Sequence, residues 1–431
     1  MNRKPRILWS NSFCLLDTSS GASISVREIL HQLERRGFEV MILGATIFDN
    51  PNGVVRFGEK WESIKNSGKD FIIIEDGALK HNLVITKSTN RSQMSMDENN
   101  SLISNYYQAL REFKPDLVFF YGGHPIDAFF PYEARIREIP SVAYLVNANY
   151  HGTRWCRDID VIVTDTNATS QYYTEKNGFQ PKVIGKFINP EDVISTKHER
   201  KHLTFVNPSW EKGAGLVALL ALEMEKRRPD IIFEIVESRG NWLAVLKDVC
   251  AQFSYEHRHD LKNVIITKHT QNMKEVYGRS RVVLSPSLWW ESGSRVLAEA
   301  MMNGIPAIVS DSGGNKEMVQ GGGVVVGLPS NCFKKPYNVL PKPEALDDLM
   351  KLIERYWDDE AYYISCINKA VNVGFGYHYM EKSVDRFLAA TNKLFDKAAG
   401  DNDLDSFLKR NHKFNLTEYI PTKDEADEAK N

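Results

Sequence analysis

The sequence predicts an α/β protein built from two doubly wound domains that face each other across a cleft. Three observations lead there. At 431 residues the chain exceeds one ordinary core, since domains usually run to about 100–200 residues. Short runs rich in Val and Ile alternate with stretches of helical periodicity, the pattern of a parallel sheet covered by helices on both faces. That alternation occurs twice, on either side of a charge-rich stretch at residues 191–201.

The first series occupies residues 1–190. Strands are predicted near 6–10, 38–43, 116–121, 141–146, 160–164 and 181–186, with helices near 22–36, 99–113, 126–138 and 167–178. Residues 45–98 break this rhythm. Phe71-Ile-Ile-Ile and Asn82-Leu-Val-Ile read as an added hairpin, and the polar run from Lys87 to Asn100 as a mobile loop. Beyond the linker at 191–201, Leu203-Thr-Phe-Val opens the second series, residues 202–378, with further strands near 231–236, 263–267, 281–285, 306–310 and 323–327. Val384, Phe387, Leu388, Thr391, Leu394 and Phe395 share one helical face, which predicts an amphipathic helix over 379–400. The polar tail, residues 401–431, has too little apolar content to pack and is expected to be weakly ordered.

Composition narrows the function. Lys and Arg total 54 against 56 Asp and Glu, a formal net charge of −2, so there is no basic field to favour nucleic acid, and a small polar ligand fits better. No apolar run approaches the roughly 18–20 residues that span a bilayer, and Met1-Asn-Arg-Lys-Pro-Arg leads into a strand rather than a signal-peptide core. A cytoplasmic protein without a transmembrane segment is the expectation. Cys14, Cys156, Cys250, Cys332 and Cys366 are scattered with no Cys-x-x-Cys pair, which points to reduced thiols.

Chemistry concentrates between Ser285 and Glu317, which reads strand, loop, helix, strand, loop, helix. Glu291-Ser292-Gly293-Ser294 lies where a helix opens at Arg295, so free backbone N–H groups and the positive end of the helix dipole would face the crevice and receive phosphate. Glu291 and Glu299 flank that site as acceptors for sugar and ribose hydroxyls. Ser312-Gly313-Gly314-Asn follows the next strand as a second phosphate-friendly turn, with Glu317 behind it. Asp158-Ile-Asp160 precedes its strand, on the wrong end for a metal site, and Glu211-Lys-Gly-Ala-Gly lacks the order of a P-loop.

This constellation resembles the retaining GT-B glycosyltransferases, especially glycosyltransferase family 4. The shared pattern is a Glu, seven residues and a second Glu (Glu291, Glu299), then Gly304-Ile-Pro306 and Gly313-Gly-Asn-Lys-Glu317; similarity extends over about residues 5–390. The resemblance implies two Rossmann-like domains and a nucleoside diphosphate sugar as co-substrate, a UDP- or GDP-sugar, with no cofactor and no metal. The acceptor would be a glycan, a lipid-linked sugar, a protein or a small molecule. It also implies that Glu291 touches the transferred sugar, Glu299 the ribose, the amides near Ser294 and Arg295 the diphosphate, and that Lys212 of Trp210-Glu-Lys-Gly supplies a cation. Ser19-Ser-Gly21-Ala-Ser resembles the glycine-rich first loop, and Tyr121-Gly-Gly-His124 the strand end that brings a histidine to the transferred sugar.

One departure stands out. Many members carry an Arg shortly before the Lys, but here the run is Asn207-Pro-Ser, which leaves Arg295, Arg239 or backbone amides to meet the diphosphate charge. Two rival readings accompany the transferase: a GT-B sugar-nucleotide epimerase, which would add proton-shuttling side chains, and a degenerate, non-catalytic binding subunit. A nicotinamide-dependent oxidoreductase is disfavoured, because Asn11-Ser-Phe-Cys follows the first strand in place of Gly-x-Gly-x-x-Gly.

Overall fold

The computed structural model describes residues 3–397 except 123, 257 and 259, so the tail at 401–431 and the last residues of the 379–400 helix lie outside the described residues. The first sheet holds β1 (Arg6–Ser10), β2 (Glu39–Ala45), β3 (Phe71–Asp76), β4 (Leu79–Val84), β5 (Leu117–Phe120), β6 (Ser141–Leu145), β7 (Val161–Thr164) and β8 (Lys182–Val183). Their order is β3-β4-β2-β1-β5-β6-β7-β8, parallel throughout except for the β3–β4 hairpin. β5 and β6 are buried on both faces, which is why they read as unbroken apolar runs. The hairpin turns through Gly77 at φ 60°, and β4 then continues the parallel sheet beside β2.

Two departures from expectation fall between residues 45 and 100. Pro51–Phe57 and Lys60–Lys65 form short helices whose Phe57 and Trp61 pack edge-on with Phe48 as a satellite cluster. The polar run from Lys87 is no mobile loop. Ser95 and Glu98 close a reciprocal capping box, and the helix Met96–Glu112 starts there, three residues ahead of the sequence estimate.

The second sheet holds β9 (His202–Val206), β10 (Phe233–Val236), β11 (Val264–Thr267), β12 (Ser280–Ser285), β13 (Ala307–Ser310) and β14 (Gly323–Val326), all parallel, in the order β11-β10-β9-β12-β13-β14. The helix Ala214–Arg227 is apolar nearly all round because other elements cover it on every side, the helix Asp347–Asp358 contributing Leu349, Met350 and Ile353 to the same core. A π-helical turn, Gly374–His378, then redirects the chain. The helix Met380–Lys397 lays Val384, Phe387 and Leu394 on Ile7, Trp9 and Val26 of the first sheet's core. Strand order reverses between β1 and β5 in one sheet and between β9 and β12 in the other, and ligands of such sheets bind beyond the carboxyl ends at those reversals.

Candidate active site

Lys212 and Glu291 come from the two sides of the second reversal, in the turn after β9 and the loop after β12 respectively. Lys212 Nζ forms an ion pair with Glu291 Oε1, and that oxygen also accepts from Ser287 Oγ at 2.8 Å. The Lys212 side chain is 28% exposed and that of Glu291 10%, so the pair is held at the cleft surface rather than sealed inside. Glu299 sits eight residues on, buried in the helix Arg295–Met302. Its Oε1 pairs with Arg295 Nε at 2.6 Å, and its Oε2 accepts from Tyr277 Oη at 2.6 Å. Burial and the Glu299 charge push the Tyr277 hydroxyl well above its usual pKa, so it stays a donor. Each carboxylate oxygen of Glu299 keeps acceptor capacity for a ligand hydroxyl. Arg295 is further tied down, donating from Nη1 to Phe187 O at 3.2 Å.

Ser294 occupies the N-cap position of this helix without a side-chain cap bond. The second glycine turn packs closely on the loop that carries Glu291. Gly313 takes φ +55° and Gly314 N donates to Glu291 O at 2.7 Å, and a Cβ at either position would collide with the Glu291 or Ser292 backbone. The turn is a brace behind the Glu291 loop because only glycine permits that approach. Glu317 is taken up by protein partners, accepting from Asn167 N at 2.7 Å and Tyr377 Oη at 2.7 Å. Gly293 presses on the first domain, where its Cβ would lie 2.8 Å from Asp165 Cβ.

On the first-domain wall, His124 and Gly21 stand at the carboxyl ends of β5 and β1, on either side of the first reversal. His124 is exposed, its ring tilted on Phe13 with centroids 5.8 Å apart. Its N–H donates to Asp127 Oδ2 at 3.0 Å, and burial raises the pKa of that carboxyl. Gly123, its neighbour in the sequence reading, lies outside the described residues. Gly21 starts the helix Gly21–Arg35, and a Cβ there would meet nothing within 4 Å, so the fold itself does not require this glycine. No hydrogen bond or ion pair joins His124 or Gly21 to Lys212, Glu291 or Glu299 among the described residues.

Arg239 is exposed on the loop after β10, and its backbone N–H donates to Asn207 Oδ1 at 3.1 Å. Asn207, at φ 66°, thus fastens two loops together. A cavity of about 520 Å³ opens between the domains, lined among others by Arg27, His31 and Arg56 on one side and Thr270, Arg295 and Glu299 on the other. Arg27 and His31 are held by Asp76, whose carboxyl stays well below the usual range because bonds from His31, His81 and Arg27 outweigh the opposing effect of burial. No cluster of three or more His, Cys, Asp or Glu side chains suited to a metal ion occurs among the described residues.

Residues 194–371 match the family model described as glycosyl transferases group 1. A search of curated proteins finds no match. Among solved structures, a sucrose-phosphate synthase from Thermosynechococcus elongatus superposes with a TM-score of 0.65 at 14% identity, covering 91% of this chain and 100% of its own. HepE of Anabaena, solved in complex with UDP and glucose, gives 0.64 at 13% identity over 90% and 100%. A glycosyltransferase from Rickettsia africae gives 0.62 at 14% identity over 91% and 99%. No helix among the described residues is long and apolar enough to cross a membrane. With two parallel-sheet Rossmann-like domains in the arrangement of these structures, the chain has the GT-B fold, and its second domain matches the glycosyl transferases group 1 model.

Proposed function

We propose that this chain transfers a hexose-like sugar from a UDP- or GDP-sugar to a hydroxyl acceptor, with retention of anomeric configuration and without a divalent metal. The observation that carries the reading is the Lys212–Glu291 ion pair poised at the reversal between β9 and β12, beside a helix start that carries no side-chain cap. Cleavage of the donor's glycosidic bond leaves positive charge on the sugar and negative charge on the diphosphate. Lys212 and the amides of Gly293, Ser294 and Arg295 stabilise that departing charge. Lys212 Nζ has three protons, so it serves Glu291 and a phosphate oxygen together.

Glu291 accepts from the sugar hydroxyls, Glu299 from the ribose, and His124 approaches the sugar from the first-domain wall. The departing diphosphate takes the acceptor's proton on the face from which it leaves, so the reaction needs no side-chain base. Asn207 is neutral and Arg295 is committed to Glu299 and Phe187, which leaves Lys212, Arg239 and backbone dipoles as the charge supply. The acceptor is a glycan, lipid-linked sugar, protein or small molecule, and the protein works in the cytoplasm.

A thermal-shift panel of UDP, GDP and ADP with their sugars tests the donor, because a ligand that binds only the folded state raises the melting temperature. One uridine or guanosine ligand should raise it, and its sugar should then release nucleoside diphosphate equally well with EDTA or with added magnesium. Activity abolished by EDTA and restored by manganese would overturn metal independence. Isomerised nucleotide sugar without released diphosphate would replace the transferase with an epimerase.

A further inference from the structure

The segment Asp165–Thr169, at the end of β7 in the first domain, touches both loops that hold Glu291. Thr166 is fully buried at the N-cap of the helix Asn167–Asn177, and its Oγ1 donates to Ser292 O at 2.6 Å. Thr169 Oγ1 reaches Ser292 Oγ at 3.1 Å. Asp165 accepts from Lys186 Nζ at 2.6 Å and from Ser292 Oγ at 3.4 Å, while Tyr144 Oη bonds its other oxygen. Across the second glycine turn, a Cβ on Gly314 would lie 2.6 Å from Thr166 Cγ2, so glycine is what lets the two domains close to contact.

Glu317 completes the arrangement. Its carboxylate accepts from Asn167 N at 2.7 Å, Asn167 Nδ2 at 2.9 Å and Ala168 N at 3.3 Å, filling the unpaired amides of a helix start with a charge from the other domain. Tyr377, in the π-helical crossing, donates to the same carboxylate at 2.7 Å. Of the three elements that meet here, one belongs to the first domain, one carries the brace behind Glu291, and one is the turn where the chain crosses back.

We propose that Thr166, Asn167 and Glu317 form an inter-domain clasp that sets the shape of the donor loops, so that the second domain's nucleotide site is complete only when the first domain is docked on it. They are positioning residues that act through Ser292, Gly293 and Gly314 on Glu291. The functional part of this inference rests on the donor-site reading above, whereas its structural part does not.

Two measurements on the full chain separate these parts. In the ligand-free protein, hydrogen exchange over residues 291–295 and 313–317 should quicken about tenfold or more in Thr166→Val and in Glu317→Ala, and stay near wild type in Thr166→Ser, which keeps the hydroxyl. In calorimetric titrations with UDP and with GDP, the nucleotide that binds wild type should bind both disrupted variants about tenfold more weakly, again with rescue by Thr166→Ser. Unchanged exchange in both loops would overturn the clasp whatever happens to the melting temperature. Quickened exchange with undiminished nucleotide affinity would overturn its role in shaping the donor site. If neither nucleotide binds wild type, the donor reading and the clasp's effect on binding fall together, and the exchange experiment still decides whether the clasp exists.

Discussion

The two walls of the cleft are built on opposite principles. On the second-domain wall the charged side chains around the helix start are already paired within the protein: Lys212 with Glu291, and Arg295 and Tyr277 with Glu299. The loops that carry them are wedged by glycines with no room for a methyl group. On the first-domain wall His124 is exposed and Gly21 looks into open space. A preorganised wall suits the charge that develops on a leaving group, since its dipoles need not reorient during the reaction. An open wall suits the partner that varies, which in a transferase is the acceptor.

This contrast can be broken most forcefully at Lys212. Lys212→Ala should lower kcat about 100-fold or more while the melting temperature holds, because under the proposed function it removes a preorganised charge at the leaving group. A loss of only a fewfold would mean that the second wall is not where catalysis is concentrated.

The crossing that joins the two walls offers a test by pH. Burial depresses the pKa of His378 from 6.5 to about 4, with Arg386 and Lys186 adding repulsion against the bond it makes to Met318 O. Above pH 6.5 the ring is neutral in both states. As pH falls from 6.5 towards 4 the unfolded chain takes up the proton first, so about 3 kcal/mol of stability is lost across that window. Melting temperatures followed over this range should drop more steeply in wild type than in His378→Gln, and parallel curves would refute the assignment.

Two glycines sharpen the comparison further. Gly313→Ala should cost about 1–3 kcal/mol, because the residue is in the left-handed region and the methyl would strike the Glu291 backbone. Gly21→Ala should leave the melting temperature essentially unchanged. If it still weakens turnover, the open space at Gly21 belongs to a ligand; normal turnover would make this glycine neutral on both counts.

Much of this was readable in the linear sequence for identifiable reasons. The sheets are legible because strands covered on both faces must be continuous apolar runs, as in Leu117-Val-Phe-Phe. Glu291, Glu299 and the Gly313-Gly314 turn are legible because a tight strand-helix junction confines them to one short stretch. The capping box at Ser95-Met-Asp-Glu98 carried its own signature and was outweighed by the polarity around it. Other features leave no local trace. The Asp165–Lys186 pair and the bonds from Asn167 to Glu317 join residues 21 and 150 positions apart, and nothing near either partner marks the other. The packing of the second glycine turn is hidden for a related reason: a sequence shows that glycine is needed, but not that the Glu291 backbone makes the close approach.

The helix Met380–Lys397 imposes an order on the birth of the protein. It covers Ile7, Trp9 and Phe119, residues that leave the ribosome long before it. At elongation rates of about 5–20 residues per second, the first sheet waits roughly 10–40 s after β8 for its last apolar cover. The second domain is synthesised whole within that interval, and its core draws nothing from beyond it except through the shared crossing. The domain that begins first therefore finishes last, with an apolar face uncovered until then.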